Sequence, residues 1–174
     1  MNMRAAARLA IGIGLFSIRP SAGMKAQIRA GRGDSVFAAD SVVLERTSCF
    51  GTCPAYRLRV SRSGRFQFES RNTGEDKRRA SDTMSAADFE QILIQAHFID
   101  FWSLPDRIAD DKRFCPQDVT DNSTTVLTVF TSKGFKRVED YYGCFWAPAG
   151  LRDLEHYLDE VTNAKRWIRP ATSR

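Results

Sequence analysis

Residues 55–70, AYRLRVSRSGRFQFES, decide the fold. Tyr56, Leu58 and Val60 alternate with Arg57, Arg59 and Ser61, and Phe66 and Phe68 alternate with polar neighbours on the return. A period of two sends one set of side chains to a core and the other to solvent, so both halves read as half-buried strands. Arg62-Ser63-Gly64 closes the turn between them, with Gly64 able to take a positive φ. The result is a hairpin with one apolar face that needs a covering layer.

The next segment supplies that layer. Ser85 is a good helix N-cap, Asp88 stands three residues on, and Met84 can staple onto Phe89. Phe89, Ile92, Leu93 and Ala96 then make one apolar stripe, predicting a helix to about His97. Phe98, Phe101, Trp102 and Leu104 follow as an aromatic plug before Pro105. Between hairpin and helix, residues 71–82 (RNTGEDKRRASD) read as a loop or a solvated edge strand.

The same order returns downstream. Residues 124–131 (TTVLTVFT) are β-branched and strand-like, Ser132-Lys133-Gly134 turns the chain, and Phe135 to Tyr142 comes back. Pro148 suits a helix start, Leu151, Leu154, Leu158 and Val161 line the helix, and it ends near Asn163. Upstream, Ser41 to Arg46 is a first strand, and Trp167 with Ile168 folds back as a C-terminal anchor. Two amphipathic helices need a shared apolar sheet face. The expected fold is therefore α+β: an antiparallel sheet of four to five strands with two helices packed on one face, the hairpin–helix unit occurring twice.

The chain has 174 residues, 43% of them hydrophobic, which suits one ordinary core and excludes collagen, coiled-coil and fully disordered classes. The expected division is a signal peptide at 1–23, a linker at 24–40, one domain at 41–168 and a tail at 169–174. Arg4 and Arg8 precede the apolar run LAIGIGLFSI at 9–18, and Ser21-Ala22-Gly23 offers small residues for cleavage. That order is a secretory signal's, although Arg19 is atypical; a mis-assigned start codon or a short buried segment is the competing reading. Ten residues fall short of the roughly 20 that cross a bilayer, so no transmembrane span is expected in the mature chain. The formal charge of +5 shrinks without residues 1–23, leaving 23 basic against 21 acidic residues. A nucleic-acid partner is not expected, because such a protein keeps its basic stripe after trimming.

Four cysteines stand at 49, 53, 115 and 144. An even count behind an export signal reads as a disulfide framework, for which three connectivities exist. Cys49–Cys53 and Cys115–Cys144 are favoured. Gly51 permits the bend of a small ring, and antiparallel pairing brings the chain before one strand near the end of its partner. A zinc site and a redox dithiol at Cys49 and Cys53 are the alternatives, and free buried thiols remain open if the chain is not exported.

Cys49-Phe50-Gly51-Thr52-Cys53-Pro54-Ala55-Tyr56 with its hairpin, Thr120-Asp121, Lys136 through Tyr141-Tyr142-Gly143, Leu151, Leu154-Glu155 and Trp167 resemble a bacterial family labelled domain of unknown function 6438. The likeness covers roughly residues 41–168. It implies an exported or membrane-anchored single-domain protein. It carries over no catalytic residue, and Cys115 and Cys144 look like additions to its pattern.

No residue pattern spells a reaction. His97 and His156 read as surface or boundary residues. There is no phosphate loop, no zincin helix motif and no calcium loop, and the acidic residues of 105–123 read as a solvated loop. Catalytic residues, metal ligands and cofactors are therefore not expected. The outward side of the first hairpin carries Arg57, Arg59, Arg62 and Arg65, a candidate face for an anionic envelope component or protein. The expectation is a periplasmic or secreted, non-catalytic binding or scaffolding module. The alternative is an envelope thiol-redox or metal-responsive protein using Cys49 and Cys53.

Overall fold

The computed structural model describes residues 38–71 and 78–168. The signal reading at 1–23, the tail at 169–174 and nearly all of the linker at 24–40 lie outside the described residues. The elements run β1 (Ala39–Arg46), β2 (Tyr56–Ser61), β3 (Arg65–Ser70), β4 (Arg79–Thr83), α1 (Ala86–Phe98), β5 (Thr124–Thr131), β6 (Gly134–Tyr141) and α2 (Ala149–Val161). All strand pairs are antiparallel, in the order β4-β3-β2-β1-β5-β6.

The fold is thus α+β as expected, with two helices, but the sheet has six strands rather than four to five. The added strand is β4, in the stretch left between loop and edge strand. Its sequence RASDT has no apolar alternation because it is an edge strand, mostly exposed. It needs only the free edge of β3. β1 begins at Ala39, two residues before the expected domain boundary.

One face of the sheet carries the core. Val42, Leu44, Leu58, Val60, Phe66, Phe68, Leu127, Val129 and Val138 share a cluster with Phe89, Ile92, Leu93 and Ala96 of α1 and Leu151, Leu154 and Leu158 of α2. Val43 and Val126, in the opposite phase, are outside that cluster. α1 opens with the expected capping box, Ser85 accepting from the Asp88 amide and Asp88 from the Ser85 amide. Gly64 has φ +77°, and a Cβ there would lie 2.3 Å from the Met84 carbonyl, so the hairpin turn docks tightly against the entry to α1. Phe101 and Leu104 are buried as an apolar plug requires, but Phe98 is 81% exposed: α1 runs through it and points it outward. Trp167 anchors the C-terminal segment, its ring 5.6 Å from Phe66 and 5.4 Å from Phe68.

Both favoured disulfides are present. Cys49–Cys53 has Cα atoms 5.5 Å apart, and Gly51 takes φ +147° inside the small ring. Cys115–Cys144, with Cα atoms 5.0 Å apart, closes 29 residues and ties the loop before β5 to the end of β6. In the chain-entropy model, Cys115→Ala with Cys144→Ala loses about 3.5 kcal/mol and opening the small ring about 2 kcal/mol. Urea unfolding of the two pairs of variants measures this. Equal losses, or a smaller loss for the longer loop, would contradict it.

Candidate functional site: a polar row under the second helix and the groove beside it

The covered sheet face is not apolar throughout. At one end the register aligns Ser70, Tyr56, Arg46, Thr125 and Asp140 across five strands. Arg46 is in phase with Val42 and Leu44, so strand geometry forces its side chain toward the helical layer. α2 lies over this row and presents Arg152, Glu155 and Asp159, neighbours at three- and four-residue spacing.

Arg46 is the hub. Its Nε donates to Tyr56 Oη at 3.0 Å and to Asp159 Oδ2 at 3.0 Å. Its Nη1 donates to Thr125 Oγ1 at 2.9 Å and to Tyr142 Oη at 3.1 Å. Nη2 lies 2.8 Å from Asp159 Oδ2, close enough for an ion pair but off the line a hydrogen bond needs. Tyr56 donates to Asp159 Oδ1 at 2.6 Å, and Tyr142 donates to Glu155 Oε2 at 2.8 Å. Arg152 grips the fully buried Asp140 through Nε at 2.8 Å and donates from Nη2 to the Cys144 carbonyl at 2.7 Å. It therefore ties α2 to both β6 and the second disulfide.

Two guanidiniums face two committed carboxylates, and Glu155 is the remaining acid. Burial pushes its carboxyl up to about 8, Asp140 adds to the rise, and the Tyr142 hydroxyl, Arg46 and Arg152 only partly oppose it. Its Oε1 is buried without a hydrogen-bond partner among the described residues. Burial works against the charge on Arg46, but Asp159, Tyr56 and Tyr142 together more than offset it and raise the guanidinium pKa. Tyr56 is likewise raised, by burial and then by the Asp159 charge. At neutral pH the row holds Arg46 and Arg152 charged and both tyrosines neutral.

Beside this row, Arg46, Tyr56 and Asp159 floor a groove of about 540 Å³. Cys53 and Pro54 line it from the disulfide ring, and Ala164, Lys165 and Ile168 from the segment after α2. His156 lines it too, exposed on α2, and His97 is exposed at the end of α1.

The arginines named from the sequence are only partly brought together. Arg57, Arg59 and Arg65 share the sheet face opposite the helices, whereas Arg62 sits in the turn and donates from Nε to the Ala39 carbonyl. Neighbouring segments rearrange the charge pairs of that face, Glu45 reaching a hairpin arginine while Arg79 takes the hairpin's own Glu69. Arg57 pairs with Glu45 at 3.5 Å, Arg79 with Glu69 at 3.2 Å, and Arg107 with Glu139 at 3.4 Å. Arg59 stacks over Phe130, and neither Arg59 nor Arg65 has an ion-pair partner among the described residues.

The polar row was missed in sequence because its members come from five strands and a helix. One signal was available: position 155 falls four residues after Leu151, on the buried stripe of α2, where a carboxylate is out of place.

Taken together, the chain is a two-layer α+β protein with one sheet face covered, two disulfides and a charged row under its second helix. It belongs to the family described as Domain of unknown function (DUF6438), whose model matches residues 40–162. No curated protein matches the chain. Four of the residues quoted for the resemblance, Cys53, Tyr56, Tyr142 and Glu155, belong to the row or the adjoining groove. No helix among the described residues is long and apolar enough to cross a membrane.

Proposed function

We propose that the chain is an exported module of the bacterial envelope, periplasmic or secreted, that acts by binding or scaffolding rather than by catalysis. Two disulfides support export, because such bonds persist in oxidising compartments. The open sheet face is its partner surface. The observation that carries this reading is the placement of Arg59 and Arg65 on a face that no described helix covers, without acidic partners among the described residues. Two shallow depressions of about 440 and 360 Å³ share Arg59, Gln67 and Ser81, forming a track across β2, β3 and β4. A track with unpaired cations suits a linear anionic polymer of the envelope.

Dextran sulfate, compared with uncharged dextran, probes this directly. The Arg59→Ala/Arg65→Ala double variant is expected to bind the sulfated polymer about tenfold more weakly, with a flatter salt dependence. Arg57→Ala, whose charge already faces Glu45, changes affinity much less. Equal affinity of wild type and double variant would sink this assignment.

A second reading follows from the exposure of the small ring. Phe50 is 90% exposed, Gly51 and Thr52 are exposed, and Cys49 and Cys53 are half-buried, so the bond is partly accessible. In this reading a partner dithiol gives two electrons and two protons to the bond and leaves as a disulfide, while Cys49 and Cys53 become thiols. Alkylation and mass measurement in a glutathione buffer separates the readings. Selective opening of Cys49–Cys53 favours the redox role, and two intact bonds favour the framework.

A further inference from the structure

The groove beside the polar row has walls and charges unlike those of the open face. Pro54 and Ile168 make its sides apolar. Asp159 is the acidic residue lining it, and both of its oxygens are taken by Arg46 and Tyr56. Lys165 and His156 also line it, both exposed, and neither has an ion-pair partner among the described residues. Because Arg46 and Asp159 balance each other, Lys165 sets a net positive field, and the His156 imidazole offers the same groove a ring N–H donor. The volume of about 540 Å³ lies in the range of small-molecule sites.

We propose that this groove binds a small amphipathic acid, with one anionic head group at Lys165 and His156 and an apolar body against Pro54 and Ile168. Charge complementarity selects the occupant. A cation is repelled by Lys165, and a neutral apolar molecule leaves the head-group position unused. The buried hydrogen bonds of Arg46, Tyr56 and Asp159 hold the floor rigid, so binding orders little that is not already ordered. This site is separate from the open face and stands or falls independently of it.

Anilinonaphthalene sulfonate, an apolar body with one acid group, serves as the probe on the full chain with both disulfides closed. It is expected to bind at one site, and uncharged phenylnaphthylamine about tenfold more weakly. Lys165→Glu is expected to weaken sulfonate binding by about tenfold or more, and Lys165→Arg by no more than about twofold. Ile168→Asp removes the apolar wall and weakens both probes. Lys165 is exposed, so its variants keep the wild-type thermal midpoint, which separates lost binding from lost folding. The Arg59→Ala/Arg65→Ala variant keeps full sulfonate affinity. The proposal is overturned if Lys165→Glu binds like wild type, if the uncharged probe binds as tightly as the sulfonate, or if the open-face variant is the one that loses binding.

Discussion

Replacing Asp159 with alanine is expected to destabilise the protein by about 3–4 kcal/mol, among the largest effects of any single charge removal here. Arg46 cannot follow its partner into water, because β1 is central in the sheet and its side chain is only 12% exposed. Without Asp159 it keeps Tyr56, Thr125 and Tyr142, all neutral acceptors. Nη2 then loses its counter-charge altogether, and the Tyr56 hydroxyl loses its acceptor. An unpaired buried charge is more damaging than the absence of the whole pair. The double variant Arg46→Met/Asp159→Leu is therefore expected to recover more than half of the loss. Urea unfolding at neutral pH measures both. A loss below about 1 kcal/mol for Asp159→Ala, or a double variant no better than the single one, would show that the groove hydrates Arg46 well enough to replace the carboxylate.

Glu155 should make the protein less stable as pH rises, by about 4 kcal/mol across the window between its two pKa values. The folded carboxyl is pushed up to about 8, against 4.5 for the free side chain. Between those values the folded state holds a proton that the unfolded state has released. Stability is thus highest below about pH 5 as far as this group is concerned, falls through neutrality, and levels off above about pH 8. Glu155→Gln carries no titrating proton and keeps an oxygen for the Tyr142 hydroxyl. The variant should resemble wild type near pH 5 and exceed it progressively toward pH 8. The difference between the two profiles isolates Glu155, since the other groups titrate in both. Parallel profiles over that range would mean that Glu155 is ionised in the fold, with Arg46 and Arg152 neutralising it.

Much of the framework was legible because it is written in local periodicities. The alternation of 55–70, the capping residues Ser85 and Asp88, and the stripe Leu151, Leu154, Leu158 each involve residues within one or two turns or strands. The sulfur pairing was legible too, from a five-residue ring containing a glycine and from the antiparallel return of β6 along β5. β4 was not, since an exposed edge strand has neither face in a core and so no pattern to read. Phe98 misled in the opposite direction: an aromatic beside Phe101 and Trp102 suggests burial, yet the helix phase turns it to solvent.

The candidate sites divide along the same line. That Arg57, Arg59 and Arg65 share one face follows from strand alternation alone. That Glu45 pairs with Arg57, while Glu69 of the hairpin is taken by Arg79 instead, depends on β1 and β4 flanking the hairpin, a matter of strand order. The α+β class, the two helices, the half-buried hairpin and the two cysteine pairs were set by interactions near in the chain. Arg46, Tyr56, Asp140, Tyr142, Arg152, Glu155 and Asp159 meet through the strand order and the seating of α2, which no local pattern records. Their contacts span up to 113 positions, and a polar side chain is tolerated inside only when distant partners arrive to satisfy it.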